Sequence, residues 1–266
     1  IAWCAALLAL SWTGTGAAAD RIRIEIDGVD RAVADNVRGY LTLGRYLDRD
    51  DVADSQVRRL ADRAVDEAAD ALRPFGYYEP TVRSRTSRDD DRSIVRLRIE
   101  PGEPVRMQSV EVVLTGAGAS EPALTAIAPA SALRPGARLD HSTYERLKTD
   151  LLRTALDLGY LDAQLTQRDL LVDPPQRTAT AKIGLDTGGR YAFGAITIEQ
   201  DVLEDALLER FVRFESGAPF SNDRIRSTQY ALEDSNYFSE VRVTPGRRDP
   251  DTLTVPVTIT AQRIKR

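Results

Sequence analysis

What most constrains this 266-residue sequence is a short junction that occurs three times: Gly76-Tyr77-Tyr78-Glu79-Pro80, Gly159-Tyr160-Leu161-Asp162-Ala163 and Asn236-Tyr237-Phe238-Ser239-Glu240. Each follows a stretch of helical periodicity and precedes one of strand character. Gly and Asn reach positive φ at the least energetic cost, so each copy predicts a helix C-cap that turns directly into a strand. From 76 to 159 is 83 residues and from 159 to 236 is 77, the size of a small domain and not of a solenoid turn. Length alone suggests about two domains; the repeat predicts three in tandem.

Each period has the same internal order. In the first, Ile22, Ile24 and Ile26 alternate with charged residues, the pattern of a strand with one buried face. Val33, Val37 and Leu41 mark a short helix. Val57, Leu60, Ala64, Val65, Ala68 and Leu72 form the apolar stripe of a longer one between Val52 and Leu72, with Asp54 or Ser55 as its cap and Pro74 and Gly76 as its stop. Tyr77 to Thr86 reads as a second strand, Ser87 to Asp91 as a polar turn, and Ile94, Val95, Leu97 and Ile99 as the most apolar strand.

The second period repeats this with a strand at Val110–Leu114, a helix near Glu121–Ala128, and another at Tyr144–Leu158. The latter has Leu147, Leu151, Leu152, Ala155 and Leu158 as its stripe and Asp140, His141 and Ser142 as cap candidates. Strands at Tyr160–Gln167 and Thr178–Leu185 follow. The third period runs from a strand at Tyr191–Ile198 through helices at Leu203–Phe211 and Ser221–Asp234 to strands at Tyr237–Thr244 and Leu253–Ile259. Pro256 inside the last strand removes a ladder N–H and predicts a bulge or a shortened strand. Tight Gly turns at Glu100–Val105 and Asp186–Tyr191 join the periods, leaving no flexible linker. The expected fold is α+β: three domains of order β-α-α-β-β, each a three-stranded mixed sheet on two helices.

The first nineteen residues stand apart. An uncharged apolar run, Ile1–Leu10, leads to Gly16-Ala17-Ala18-Ala19 before Asp20, as in a secretory signal cut at an A-x-A site. Cys4 lies within that run, so the mature chain is expected to lack cysteine, in keeping with an oxidising compartment where free thiols are a liability.

Composition argues against most chemistry. His141 is the sole histidine, which rules out a Ser-His-Asp or Cys-His pair and any multi-histidine metal site. Asp89-Asp90-Asp91 lacks the loop spacing of a calcium site. Neither Gly188-Gly189 nor Gly116-Ala117-Gly118 is followed by the lysine and helix start of a phosphate loop. A net charge of −5 with interspersed signs does not favour nucleic acid. The expectation is a non-enzymatic chain with no cofactor and no metal.

The β-α-α-β-β order, the three junctions and the joints Pro101-Gly102-Glu103-Pro104-Val105 and Gly188-Gly189-Arg190-Tyr191-Ala192-Phe193-Gly194 together resemble polypeptide-transport-associated (POTRA) repeats. Three repeats after a signal most resemble the periplasmic part of the TamA family, outer-membrane subunits of the translocation and assembly module. The domains would then be 20–103, 104–189 and 190–266.

The resemblance implies a periplasmic location and a C-terminal transmembrane β-barrel. The chain would thus be a fragment ending at Ile264-Lys265-Arg266, where the barrel begins. It also implies a TamB-like inner-membrane-anchored partner and, as clients, unfolded outer-membrane proteins including autotransporters.

In such repeats the third strand is central and the second lies at an edge. Here Thr81-Val82-Arg83-Ser84-Arg85 is polar and follows Pro80, as edge strands do. An open edge accepts an extended peptide as a further strand with little dependence on its sequence, so Thr81, Val82, Arg83, Ser84 and Arg85 are the candidate partner-binding residues. Arg83 and Arg85 equally suit charges that guard an edge against aggregation. Gly76, Tyr77, Gly159, Tyr160, Asn236 and Tyr237 are the candidate structural junctions, with the rings expected in the core. The alternative functions are a structural spacer and the periplasmic part of a two-partner secretion transporter.

Overall fold

The computed structural model describes residues 22–47, 49, 52–90 and 92–263. The signal at 1–19 with Cys4, the cleavage point before Asp20, Asp91 of the acidic turn and the terminal Ile264-Lys265-Arg266 lie outside the described residues. The chain divides into two compact units between Pro104 and Val105.

In the first unit the alternating isoleucines form β1 (Ile22–Asp27). Asp30 caps α1 (Arg31–Tyr40), accepting from Val33 N at 3.0 Å, and Val33 and Val37 are buried. A 3-10 turn (Thr42–Tyr46) follows, fixed by Thr42 N donating to Glu67 Oε2 at 2.8 Å. The long helix α2 (Asp54–Leu72) buries Val57, Ala61, Ala64, Ala68, Ala71 and Leu72. Its close-packed face is thus mainly alanine, while the expected Leu60 and Val65 are half-buried. Neither Asp54 nor Ser55 caps it: the N-cap is Ala53, and Asp54, one residue inside the helix, pairs with Arg88 at 3.0 Å.

Strand β2 (Thr81–Asp89) and strand β3 (Arg92–Glu100) close the sheet. Two expectations are corrected here. The strand begins at Thr81 and not Tyr77, because the chain after Gly76 runs irregularly as far as Pro80. The turn is also shorter than Ser87–Asp91: Asp89 pairs with Arg92, leaving two loop residues of which Asp90 has φ 49. The sheet order is β1-β3-β2, with β1 parallel and β2 antiparallel to the central β3. Val95, Leu97 and Ile99 of β3 are buried against the helices.

The second unit holds two more sheets of identical topology. Strand β4 (Arg106–Thr115) precedes two single-turn helices, α3 (Pro122–Thr125) and α4 (Ile127–Ala130), where one helix was expected. Asp140 caps α5 (His141–Asp157), accepting from Ser142 N at 2.8 Å, and the helix buries Tyr144, Leu147, Leu151 and Ala155. Leu152 and Leu158 of the expected stripe are only half-buried. Strand β5 (Gln164–Asp173) starts later than Tyr160 and runs further than Gln167, to the turn before β6 (Thr178–Asp186); the order is β4-β6-β5.

The last sheet contains β7 (Ala192–Glu199), β8 (Phe238–Pro245) and β9 (Thr254–Arg263) in the order β7-β9-β8. Between β7 and β8 lie α6 (Asp205–Leu208), shorter than expected, and α7 (Asn222–Asp234). Pro256 acts on both neighbours. The β7 register slips between Phe193 and Ile196, opposite Val255 and Val257, which is a bulge at Gly194-Ala195. Towards β8, Gly246 N donates to Pro256 O at 2.8 Å, but proline has no N–H to return and the ladder ends there. In this core Phe193 stacks on Phe214 and lies tilted against Phe220.

Candidate functional site

The first junction ends α2 through a 3-10 turn (Arg73–Phe75) and Gly76 at φ 85. Gly76 N donates to Arg73 O at 2.9 Å and Tyr77 N to Leu72 O at 3.3 Å, satisfying the last helical carbonyls. Tyr77, like Val82, is partly buried and packs on the core. Burial raises the Tyr78 hydroxyl above its ordinary pKa of 10.0, with Arg73 opposing. Pro80 then delivers the chain into β2.

In the sheet order β2 is an outer strand, so one row of its N–H and C=O groups pairs with no described strand. Thr81, Arg83 and Arg85 are exposed on one face of it, and Val82 and Ser84 are half-buried on the other, where α2 packs. A hollow of about 170 Å³ lies between the start of α2 and the far end of β2, lined by Val57, Arg58, Thr86, Ser87 and Ser93 and spanned by the Asp54–Arg88 pair. Strand β1 is a second open edge that the sequence reading did not single out.

The second junction is a clamp. Gly159 has φ 92, and a Cβ there would stand 2.6 Å from Phe220 O. Tyr191 N donates to Gly159 O at 2.8 Å and Phe220 N to Tyr191 O at 2.9 Å. Asp162 accepts from the Tyr191 hydroxyl at 2.7 Å and pairs with Arg248 at 2.9 Å. The hydrogen bond to Asp162, and then burial, raise the Tyr191 hydroxyl above its ordinary range. Arg190 Nε donates to Leu158 O at 2.9 Å, and the Arg190 guanidinium lies over the buried Tyr160 ring. Thr187, fully buried, accepts from Gly118 N at 2.9 Å and donates to Thr115 O at 3.0 Å.

The third junction is looser. Asn236 has φ 59, and its ring neighbour Tyr237 is 45% exposed, resting edge-on against Phe211. The sequence reading placed all three rings in the core; Tyr160 is buried, Tyr77 half-buried and Tyr237 exposed. It missed Asp162, Tyr191 and Arg248 as a set, because Tyr191 and Arg248 lie 29 and 86 positions from Asp162 and are brought to it only by the fold. Among the described residues no cluster of His, Cys, Asp and Glu could hold a metal ion, and no helix is long and apolar enough to cross a membrane.

Residues 191–262 match the POTRA family, described as the surface antigen variable number repeat. With three sheets of one topology, the chain is a tandem array of POTRA domains. Residues 23–101 match the narrower description "POTRA domain TamA domain 1".

Among solved structures the chain is similar to POTRA domains 3–5 of Haemophilus influenzae BamA, at 14% identity and a TM-score of 0.48, covering 92% of this chain and 96% of that one. It is similar to the N-terminal domain of Omp85 from the thermophilic cyanobacterium Thermosynechococcus elongatus, at 12% and 0.32, covering 92% and 97%. It is also similar to CdiB from Acinetobacter baumannii, at 12% and 0.34; there 80% of this chain spans 40% of the other.

Proposed function

We propose that the chain is the periplasmic module of an outer-membrane protein assembly or translocation factor of the TamA kind. It has three domains, 20–103, 104–189 and 190–266, and no catalytic role. The first domain captures extended segments by adding them as a fourth strand beside β2, with Thr81, Val82, Arg83, Ser84 and Arg85 at the contact. A TamB-like inner-membrane-anchored protein and unfolded outer-membrane proteins, autotransporters among them, are the partners, and a barrel in the full-length protein anchors the array. The observation that carries this reading is the outer position of β2 in a domain whose residues match the description of a first TamA domain. Strand addition derives its affinity from main-chain hydrogen bonds, which suits clients of many sequences.

Photo-crosslinkers at Val82 and Arg83, with Arg31 on α1 as a control position, test it in cells. Adducts with the TamB-like protein or with barrel precursors, absent from position 31, are expected; capture of neither refutes strand addition at β2. The clamp at Gly159, Asp162, Tyr191 and Arg248 favours a second role, that of a spacer of set length. As the sole role, it predicts that charge reversal on β2 leaves secretion intact while removing a domain abolishes it.

A further inference from the structure

Register places six arginines on the solvent face of the first sheet: Arg23 on β1, Arg92, Arg96 and Arg98 on β3, and Arg83 and Arg85 on β2. Two cross-strand pairs are of like charge, Arg83 opposite Arg98 and Arg85 opposite Arg96. Such pairs are destabilising, and the available carboxylates only partly offset them. Glu25 holds Arg96 through Nε at 2.9 Å, Asp27 stands 3.9 Å from Arg96, and Glu100 lies 3.7 Å from Arg83. Among the described residues Arg85 and Arg98 have no carboxylate within 4.0 Å. The charge is therefore lopsided. The β1 edge carries Glu25 and Asp27 beside Arg23, whereas β2 carries Arg83 and Arg85 along its middle, with Arg98 and Arg96 behind them, and its one carboxylate on that face, Asp89, stands at the far end opposite Arg92. Repulsion from Arg96 disfavours Arg85 leaning inward over the sheet and leaves it available at the open side, while Arg83, 3.7 Å from Glu100 on β3, is still 70% exposed.

We infer that the β2 edge selects acidic strands: extended segments with carboxylates at alternate positions, seated so that those carboxylates meet Arg83 and Arg85. This rests on the strand addition proposed above and supplies the sequence preference that main-chain pairing lacks. The geometry suits it. Side chains two residues apart on a strand are about 6.8 Å apart, and an added strand lies about 4.8 Å away. Every second residue of the newcomer therefore falls beside Arg83 and Arg85 on the same face. The other residues of that strand face the α2 side, beside half-buried Val82 and Ser84, where apolar side chains fit. The recognised pattern is carboxylate–apolar alternation. It also separates the two edges, because an acidic strand beside β1 would meet Glu25 and Asp27.

The test is fluorescence anisotropy of the full chain with a labelled nine-residue peptide of alternating Glu and Val, its Lys-for-Glu counterpart, and a Glu-Val peptide N-methylated at alternate residues. Each opposite-charge neighbour is worth about 1.4- to 5-fold in affinity. The Glu peptide should therefore bind on the order of tenfold more tightly than the Lys peptide at low salt, and the gap should narrow as salt screens it. R83E R85E should invert the preference and R83Q R85Q abolish it, with melting temperatures confirming that both variants fold. Equal binding of the Glu and Lys peptides, both lost on N-methylation, overturns the acidic preference while leaving strand addition standing. Undiminished binding of the N-methylated peptide overturns strand addition and this inference with it. Arginine-dependent binding of phosphatidylglycerol vesicles with no binding of any peptide also overturns it.

Discussion

Replacing Gly159 by Ala probes the clamp at a single atom. Two costs are expected. The first is conformational: at φ 92 an alanine side chain sits in a left-handed region, which costs about 1–2 kcal/mol. The second is contact: the new Cβ would lie 2.6 Å from Phe220 O, a backbone atom that can give way only by moving the chain. That movement loosens the bonds from Phe220 N to Tyr191 O and from Tyr191 N to Gly159 O, at 2.9 and 2.8 Å. A buried backbone group left unpaired costs about 1–3 kcal/mol.

Gly136 is the control, since its φ is 81 and a Cβ there meets nothing within 4 Å. G136A should show the conformational cost alone, and G159A about 1–3 kcal/mol more, the cost of the lost backbone pairing. For a unit of this size that difference lowers the melting temperature by about 2–12 °C. Thermal unfolding by circular dichroism and hydrogen exchange at the Tyr191 and Phe220 amides report it, with protection falling in G159A and not in G136A. Equal destabilisation of the two variants, or intact protection in G159A, would show that the close approach of the two chains stabilises nothing.

Three further outcomes follow from individual side chains. Tyr191 has a raised pKa chiefly through its bond to Asp162, so its stabilisation is present below pH 10 and is lost as pH rises through the higher folded-state value. Y191F should cost about 1 kcal/mol at neutral pH and remove that part of the alkaline loss in a pH-dependent melt. His141 is shifted down chiefly by burial, against Asp140 and Glu145. Stability therefore falls as pH drops below 6.5, where the unfolded chain takes up the proton more readily, and H141N should flatten that slope in urea titrations between pH 7 and 5. The Tyr144 hydroxyl is buried with no hydrogen-bond partner among the described residues; Y144F should leave the melting temperature unchanged or raise stability by about 1 kcal/mol.

Element order was legible in the sequence because apolar periodicity and the three junctions are local signals. Gly76, Gly159 and Asn236 adopt positive φ, which follows from residue type alone. Pro256 announced the end of the β8 ladder for a similar reason, the missing N–H. Strand starts were less legible. Tyr77 and Tyr160 have strand propensity, but each is drawn into the turn after its glycine, so pairing begins at Thr81 and Gln164.

Alanine-rich packing on α2 was also obscured. A residue as small as Ala61 or Ala71 is buried because it lets elements approach closely, not because it is strongly apolar. The arginine face was hidden by one error of register. Reading Ser87–Asp91 as a loop removes the pairing that sets Arg85 against Arg96, whereas a two-residue turn fixes it. Beyond Gly159 itself, the clamp's side-chain set of Asp162, Tyr191 and Arg248 had no local signature.

That clamp has a mechanical consequence. Between Leu158 and Tyr191 the second and third sheets are fastened by backbone hydrogen bonds, a buried tyrosine, a carboxylate and two guanidinium groups. Bending at this point must break several of these bonds together. A torque applied to one sheet must therefore load these bonds before the joint can yield.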